Sequence, residues 1–169
     1  MSSQQNKSYK GFTIIEVVLV LAIAGLIFLM VFVALPALQR SQRDTQRKND
    51  MGRLITAIQN YQSSNKNKVP NTASDYASNS AFYTNYLLTN GDTFADPSSN
   101  ENYIFDYKGA CEATGCPDPG DSNGKVQTGH IYVYTNATCD GDSAKYFEGA
   151  GRLAFVIDLE GASYYCANN

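Results

Sequence analysis

The sequence predicts an α+β fold in which one long N-terminal α-helix packs on a small antiparallel β-sheet. The helix is predicted by an uncharged apolar run at residues 17–38 and by apolar residues at helical spacing between Met51 and Tyr61. The sheet is predicted by segments rich in β-branched and aromatic residues in the C-terminal half. A chain of 169 residues with 43% hydrophobic content holds one modest domain in addition to such a helix.

Residues 17–38 are predicted to span a membrane, because 22 uncharged residues can cross a hydrocarbon core of about 30 Å as a helix. The short polar leader before the run contains Lys7 and Lys10 and no acidic residue. No convincing small-residue cleavage site follows the run, so any cleavage is expected before it. The charges flanking the run would place the C-terminal part in the cytoplasm, but the cysteines favour an oxidising compartment, and we give them more weight.

Behind the apolar run, the same helix is expected to continue to about Ser64, because Pro70 and the Asn-Lys-Asn sequence before it stop a helix there. Five apolar residues give this second, amphipathic half a stripe that faces a core: Met51, Leu54, Ile55, Ile58 and Tyr61. The predicted organisation is therefore a leader at residues 1–11, a helix at 12–64 and a globular head at 65–169.

Four segments of the head are predicted as strands from their β-branched and aromatic content: residues 103–107, 130–134, 152–159 and 162–166. The last two are expected to form a hairpin with its turn at Glu160-Gly161. A short helix is expected near residues 81–88, and Asp140 and Asp142 are expected in a turn. Together the strands predict an antiparallel sheet laid over the apolar stripe of the helix.

The charges are distributed unevenly along the chain. Residues 39–61 contain five Lys or Arg and two Asp, whereas residues 62–169 contain six Lys or Arg and thirteen Asp or Glu. A nucleic-acid partner needs a basic face with stacking aromatic residues beside it, but the tyrosine-rich half is the acidic one. We therefore expect no nucleic-acid binding by the head.

All four cysteines lie between residues 111 and 166, which predicts two disulfides in an exported domain. Zinc is not expected, because paired C-x-x-C spacings are missing and the chain has a single histidine. The sequence does not determine the pairing. We predict Cys111 with Cys116, which closes the short C-E-A-T-G-C loop, and Cys139 with Cys166, which ties the final segment to the body of the head.

No catalytic constellation is visible, so we predict neither an enzyme nor a cofactor. His130 has no obvious nucleophile or second base beside it and is expected to be structural. The sequence Asp-Ser-Asn-Gly at residues 121–124 matches part of a calcium-binding EF-hand loop. Its first ligand and its bidentate glutamate are missing, so a turn is expected there and no metal site.

Glu16 raises a separate question, because it lies at the start of the apolar run. An ionised carboxylate near the middle of a bilayer costs about 2.5–3.5 kcal/mol, so intramembrane acids usually have a partner and a role. Alternatively, Glu16 lies at the membrane interface, where the helix dipole favours an anion by a few tenths of a kcal/mol. Position alone does not decide between the two.

Residues 11–16, Gly-Phe-Thr-Ile-Ile-Glu, follow the short basic leader and open the long apolar helix. This pattern resembles the N-terminal signature of the type IV pilins and their relatives, the pseudopilins, over residues 7–61. The resemblance implies that a prepilin peptidase cuts between Gly11 and Phe12 and methylates the new amine of Phe12. It also implies that Glu16 pairs with the Phe12 amine of a neighbouring subunit, which compensates both charges in a dry environment.

The resemblance gives the basic stretch at residues 40–48 two interpretations. It is either a solvated helix face, or it lines a filament interior against acidic groups of neighbouring subunits or phospholipid headgroups. The implied partners are further copies of the chain in a filament, the prepilin peptidase, an inner-membrane assembly platform with its ATPase, the membrane before assembly, and a host or cell surface.

The implied location is the cell membrane before assembly and a surface filament afterwards. Such a filament serves adhesion, twitching motility or DNA uptake, and the sequence does not choose among these tasks. Two alternatives stay open. The first is a pseudopilin of a type II secretion system, and the second is a single-pass anchored binding protein that does not polymerise.

Overall fold

The structure is a computed structural model, and it describes residues 11–88, 93–120, 126–149, 151–161 and 163–169. The chain divides into two compact units, Met1–Gln39 and Arg40–Asn169. The described part of the first unit is helical almost throughout, and the second contains the sheet and its core.

The long helix α1 comprises Ile14–Ser64, so its predicted C-terminal end is confirmed and its start lies two residues later than predicted. Thr13 precedes its first turn, and the Thr13 hydroxyl accepts a hydrogen bond from the Glu16 N–H at 3.4 Å. This contact satisfies one of the free N–H groups at the helix start. The helix ends where Asn67 turns back with a φ of 64° and donates its N–H to Gln62 O at 2.9 Å.

Within the described residues, the head contains six strands. They are β1 (Ile104–Ala110), β2 (His130–Thr135), β3 (Ala137–Asp140), β4 (Ser143–Tyr146), β5 (Leu153–Leu159) and β6 (Ser163–Asn168). The main sheet has the order β1-β2-β5-β6, and β3 and β4 form a separate two-stranded sheet. All four predicted strands are therefore confirmed, as is the hairpin of β5 and β6, although residue 162 of the last prediction lies outside the described residues.

The expectation of a wholly antiparallel sheet was wrong for one pair, because β1 and β2 run parallel and the sheet is mixed. Parallel neighbours need a connection of a dozen or more residues, and residues 111–129 supply one. The β3–β4 hairpin was not predicted as strands. The turn of this hairpin was predicted correctly, since Asp140 pairs with Ser143 across Gly141 and Asp142, and Gly141 has a φ of 62°.

The predicted short helix near residues 81–88 is present as a π-helical turn, Tyr83–Leu87. The Leu88 N–H donates to Tyr83 O at 3.0 Å, which is the five-residue spacing of a π-helix. A short 3₁₀-helix at Ala73–Tyr76 was not predicted.

Both faces of the main sheet are covered, which explains why β2 and β5 are almost continuously buried. On one face, Ile131, Val133 and Phe155 share a core with the apolar stripe of α1, whose predicted role is confirmed. The most deeply buried members of that stripe are Met51, Leu54 and Ile58, each 0% exposed. On the other face, a second cluster contains Tyr132, Tyr134, Val156 and the disulfide cysteines.

Candidate functional site

The apolar part of α1 exposes every one of its large hydrophobic side chains. Each large apolar residue among 14–38 is at least 49% exposed, and Phe12 just before the helix is 84% exposed. Surfaces of this extent mark a site of contact with a membrane or with other proteins. The helix contains an unburied stretch that is long and apolar enough to cross a membrane by length and composition.

Glu16 is the single acidic residue in the first turn of α1, where the dipole of the helix favours a negative charge. Together with Phe12, Val17, Val20 and Leu21 it lines a shallow, mainly apolar groove. The Glu16 carboxylate forms no ion pair within the part of the chain that the structure describes. Gly11 and Phe12 precede the helix and are exposed, so this backbone is accessible to another protein.

The basic residues of α1 nearest the head meet acidic residues of the same chain. Arg43 forms a two-point ion pair with Glu160, in which Arg43 Nε and Nη2 donate to the two carboxylate oxygens. Arg47 is 0% exposed and donates from Nε to Asp96 Oδ2 at 2.6 Å and from Nη2 to Asp96 Oδ1 at 3.1 Å. A further bond runs from Arg47 Nη1 to Asp44 Oδ1 at 3.1 Å.

These contacts shift the pKa values of the acids in the cluster. Burial raises the pKa of Asp96, but hydrogen bonds from Arg47 and Ser98 together hold it below its ordinary value. The hydrogen bonds from Arg43 lower the pKa of Glu160. Both carboxylates are therefore ionised at neutral pH, and the cluster is a network of full charges.

A second acid on the buried face of α1 behaves differently. Asp50 accepts a hydrogen bond from the Tyr103 hydroxyl at 3.1 Å and another from Arg53 Nη1 at 3.2 Å. Burial nevertheless raises the pKa of Asp50 above its ordinary value, because these bonds compensate only part of the lost hydration.

The solvated-face interpretation of the basic stretch was wrong for Arg47, whose side chain is 0% exposed, and Arg43 is paired with Glu160 while 32% of its side chain stays exposed. The reason is that their acidic partners lie on head segments distant in sequence. Asp96 and Glu160 were missed as partners, although the contrast between a basic helix and an acidic head was the available signal. Arg40 and Lys48 are exposed, and the Lys48 ammonium lies 5.5 Å from the centre of the Tyr165 ring.

The two disulfides of the structure join the cysteines that the sequence analysis paired. Cys111 and Cys116 close a short loop after β1, with their Cα atoms 4.3 Å apart. Cys139 of β3 is bonded to Cys166 of β6, which links the small sheet to the edge of the main sheet.

His130 pairs with Asp106 on the neighbouring strand, with His130 Nδ1 2.7 Å from Asp106 Oδ2. The described ranges contain no group of three or more His, Cys, Asp or Glu side chains that could hold a metal. The predicted turn at residues 121–124 lies outside the described residues.

Comparison with known proteins adds one finding at the N-terminus. Residues 6–32 match the prokaryotic N-terminal methylation motif, and no curated protein and no solved structure matches the chain. With its exposed apolar helix, the motif indicates a membrane-anchored structural subunit. The motif supports the type IV pilin and pseudopilin family, and its class III leader implies processing by a prepilin peptidase and assembly into a filament.

Proposed function

We propose that the chain is a structural subunit of a type IV pilus-like surface filament and that it assembles through its N-terminal helix. The observation that carries the proposal is the methylation motif at residues 6–32 on a helix whose apolar part, residues 14–38, exposes all of its large apolar side chains. In this proposal residues 1–11 are a removable leader, residues 12–64 form the assembly helix, and residues 65–169 form the head.

The proposed processing removes the leader between Gly11 and Phe12 and methylates the new Phe12 amine. Cleavage there places a positive charge one helical turn from Glu16, and each charge is costly in an apolar filament core. Pairing of Glu16 with the Phe12 amine of the next subunit compensates both charges and fixes the register of the incoming subunit. The exposed groove beside Phe12 and Glu16 leaves both groups accessible for this contact.

The proposed location follows from this assembly route. The subunit is held in the membrane by residues 17–38 until an assembly platform and its ATPase insert it into the filament, and it is then displayed at the cell surface. Two disulfides in the head suit an oxidising exterior. The assembled filament would then serve adhesion to a host or cell surface, twitching motility or DNA uptake.

The first test is mass spectrometry of the N-terminal peptide in material sheared from the cell surface. We expect a peptide that begins at N-methylated Phe12 in a filament fraction. An unprocessed chain that stays in the membrane would contradict the proposal and favour a non-polymerising anchored protein. A processed chain that never enters surface filaments would favour a pseudopilin of a type II secretion system.

A second test isolates the role of Glu16. Glu16→Gln removes the charge with little change in shape, and we expect a stable membrane protein that assembles poorly. Glu16→Asp, which keeps the charge, is the matched control and is expected to retain more assembly. Abundant normal filaments from the Gln variant would show that Glu16 has no part in assembly.

A further inference from the structure

A cleft of about 410 Å³ lies on the face of the main sheet that is turned away from α1. Its floor is formed by Tyr134 of β2 and Val156 of β5, and Tyr164 of β6 lines it as well. The segment that follows the Cys111–Cys116 loop and the beginning of β4 provide the remaining lining. The cleft therefore lies between five parts of the head that the fold brings together.

The lining combines two carboxylates with aromatic and aliphatic surface. Asp118 and Asp142 are both exposed and both line the cleft, so its mouth carries negative charge. Tyr164, Pro117 and Pro119 add ring surface on which a hydrocarbon chain can pack. The negative charge of these two carboxylates disfavours the binding of an anionic ligand in the cleft.

Apart from the charge of the lining, the hydroxyl of Tyr134 also indicates that a hydrogen-bond partner is missing in the unbound cleft. Tyr134 is 1% exposed, and its hydroxyl oxygen has no hydrogen-bond partner among the residues that the structure describes. A buried hydroxyl without a partner costs free energy, and such groups are rare in folded proteins. Burial raises the pKa of Tyr134, and the charge of Asp118 acts in the same direction, so the hydroxyl stays neutral and can accept a hydrogen bond.

We propose that this cleft binds a primary alkylammonium group, the end of a lysine side chain presented by another protein. An ammonium group has three N–H donors and no acceptor, and the lining of the cleft offers it the carboxylates of Asp118 and Asp142 with the hydroxyl of Tyr134 at the floor. The aliphatic stem of lysine packs along the prolines and the Tyr164 ring, while the two carboxylates attract the charge. The quaternary ammonium group of choline has no N–H and cannot donate a hydrogen bond to any of these acceptors. The inference concerns the head alone and does not depend on filament assembly.

The test uses the full chain in a nonionic detergent at low ionic strength, because salt screens exposed carboxylates. The probe is Nα-acetyl-lysine N-methylamide, and binding is followed through the ring NMR signals of ¹³C-labelled tyrosines. The matched control compound is Nα-acetyl-norleucine N-methylamide, which has the same stem without the charge. We expect the lysine compound to shift the signals of Tyr134 and Tyr164 and to bind at least about tenfold more tightly than the norleucine compound and choline.

Three variants separate the contributions. Tyr134→Phe removes only the unpartnered hydroxyl, so we expect an intact fold and an affinity for the lysine compound about tenfold lower. The double variant Asp118→Asn with Asp142→Asn is expected to lose a similar factor or more. Glu101→Gln changes the charge of the head outside the cleft and is expected to leave the affinity unchanged.

The proposal is overturned if the norleucine compound or choline binds as tightly as the lysine compound. It is also overturned if the Tyr134→Phe variant binds the lysine compound as well as the unaltered chain does. Absence of any shift at Tyr134 and Tyr164 has the same meaning, because the spectra of the unbound chain report that the fold is intact.

Discussion

Arg47 of α1 and Asp96 of the head form a two-point ion pair inside the protein. The two bonds measure 2.6 Å and 3.1 Å, and the residues are 0% and 1% exposed. Charged residues are almost never fully buried unless they are paired, and Ser98 completes the set by donating its N–H to Asp96 Oδ1 at 2.9 Å. The helix is thus joined to residues 93–103 by charge as well as by apolar packing.

Replacement of Arg47 by Met is expected to lower the free energy of unfolding of the head by about 3–5 kcal/mol, because it leaves Asp96 buried without its partner. Near-UV circular dichroism of the full chain in detergent measures this loss through the tyrosines. Arg40→Met, at an exposed position of the same helix, is the control and should change stability by less than about 0.5 kcal/mol.

The double variant Arg47→Met with Asp96→Leu is expected to be less destabilised than the two single variants added together, because both charges leave at once. Purely additive losses would show that the two side chains do not interact in solution.

The stability of the head is expected to fall as the pH is lowered through about 4. The folded-state pKa of Asp96 lies below its unfolded value, so its contribution is complete above the unfolded pKa and is lost as the pH falls through the folded pKa. The Asp96→Asn variant should start from a lower stability at neutral pH, and its stability should then fall less steeply as the pH is lowered.

Asp50 is expected to act in the opposite direction, because its raised pKa makes protonation favour the folded state. Asp50→Asn should therefore make the loss of stability at low pH steeper. Unfolding curves between pH 7 and pH 3 measure both slopes.

Two buried tyrosines with different hydroxyl environments form a matched pair. Tyr103 donates its hydroxyl to Asp50, whereas the Tyr83 hydroxyl has no partner in the described part of the chain, and both residues are at most 3% exposed. Tyr103→Phe is expected to cost about 1.5–3 kcal/mol, because it removes a hydrogen bond to a charged group. Tyr83→Phe should be neutral or stabilising, since it removes only an unpaired polar atom. Equal losses in the two variants would contradict this account.

The two disulfides are expected to contribute unequally to stability. They close loops with sequence separations of 5 and 27 residues, and in the chain-entropy account the longer loop gains more. Replacing Cys139 and Cys166 by Ser should cost about 3.5 kcal/mol, against about 2 kcal/mol for Cys111 and Cys116. Thermal unfolding of the two paired variants compares them directly, and a larger loss from the short loop would reverse the order.

The periodic and compositional features of the chain could be predicted well. The stripe from Met51 to Tyr61 and the stop before Pro70 are local signals, so the end of α1 at Ser64 followed from neighbouring residues. The strands β5 and β6 were predictable for the same reason, since a hairpin needs only two alternating segments and a turn.

Long-range relationships were not accessible in the same way. The parallel pairing of β1 with β2 depends on how residues 111–129 cross over, and composition carries no sign of strand direction. The partners of Arg47 could not be predicted for the same reason, because Asp96 is 49 residues away in sequence and its burial results from the whole fold. At the N-terminus the predicted function rests on the short methylation motif. The structure adds that the side chains of this segment are exposed and therefore accessible to other proteins.

The bond between Cys139 and Cys166 also has a mechanical consequence. Strand β6 is at the edge of the main sheet, and an edge strand held by hydrogen bonds alone peels off one pair at a time under load. The bond closes a covalent loop across 27 residues, so a pulling force along the chain passes through sulfur and bypasses the end of β3, all of β4 and β5, and most of β6. About 90 Å of contour length is withheld from extension in this way. A stretched head would therefore extend only through residues outside the loop, while the closed loop kept its length until the sulfurs were reduced.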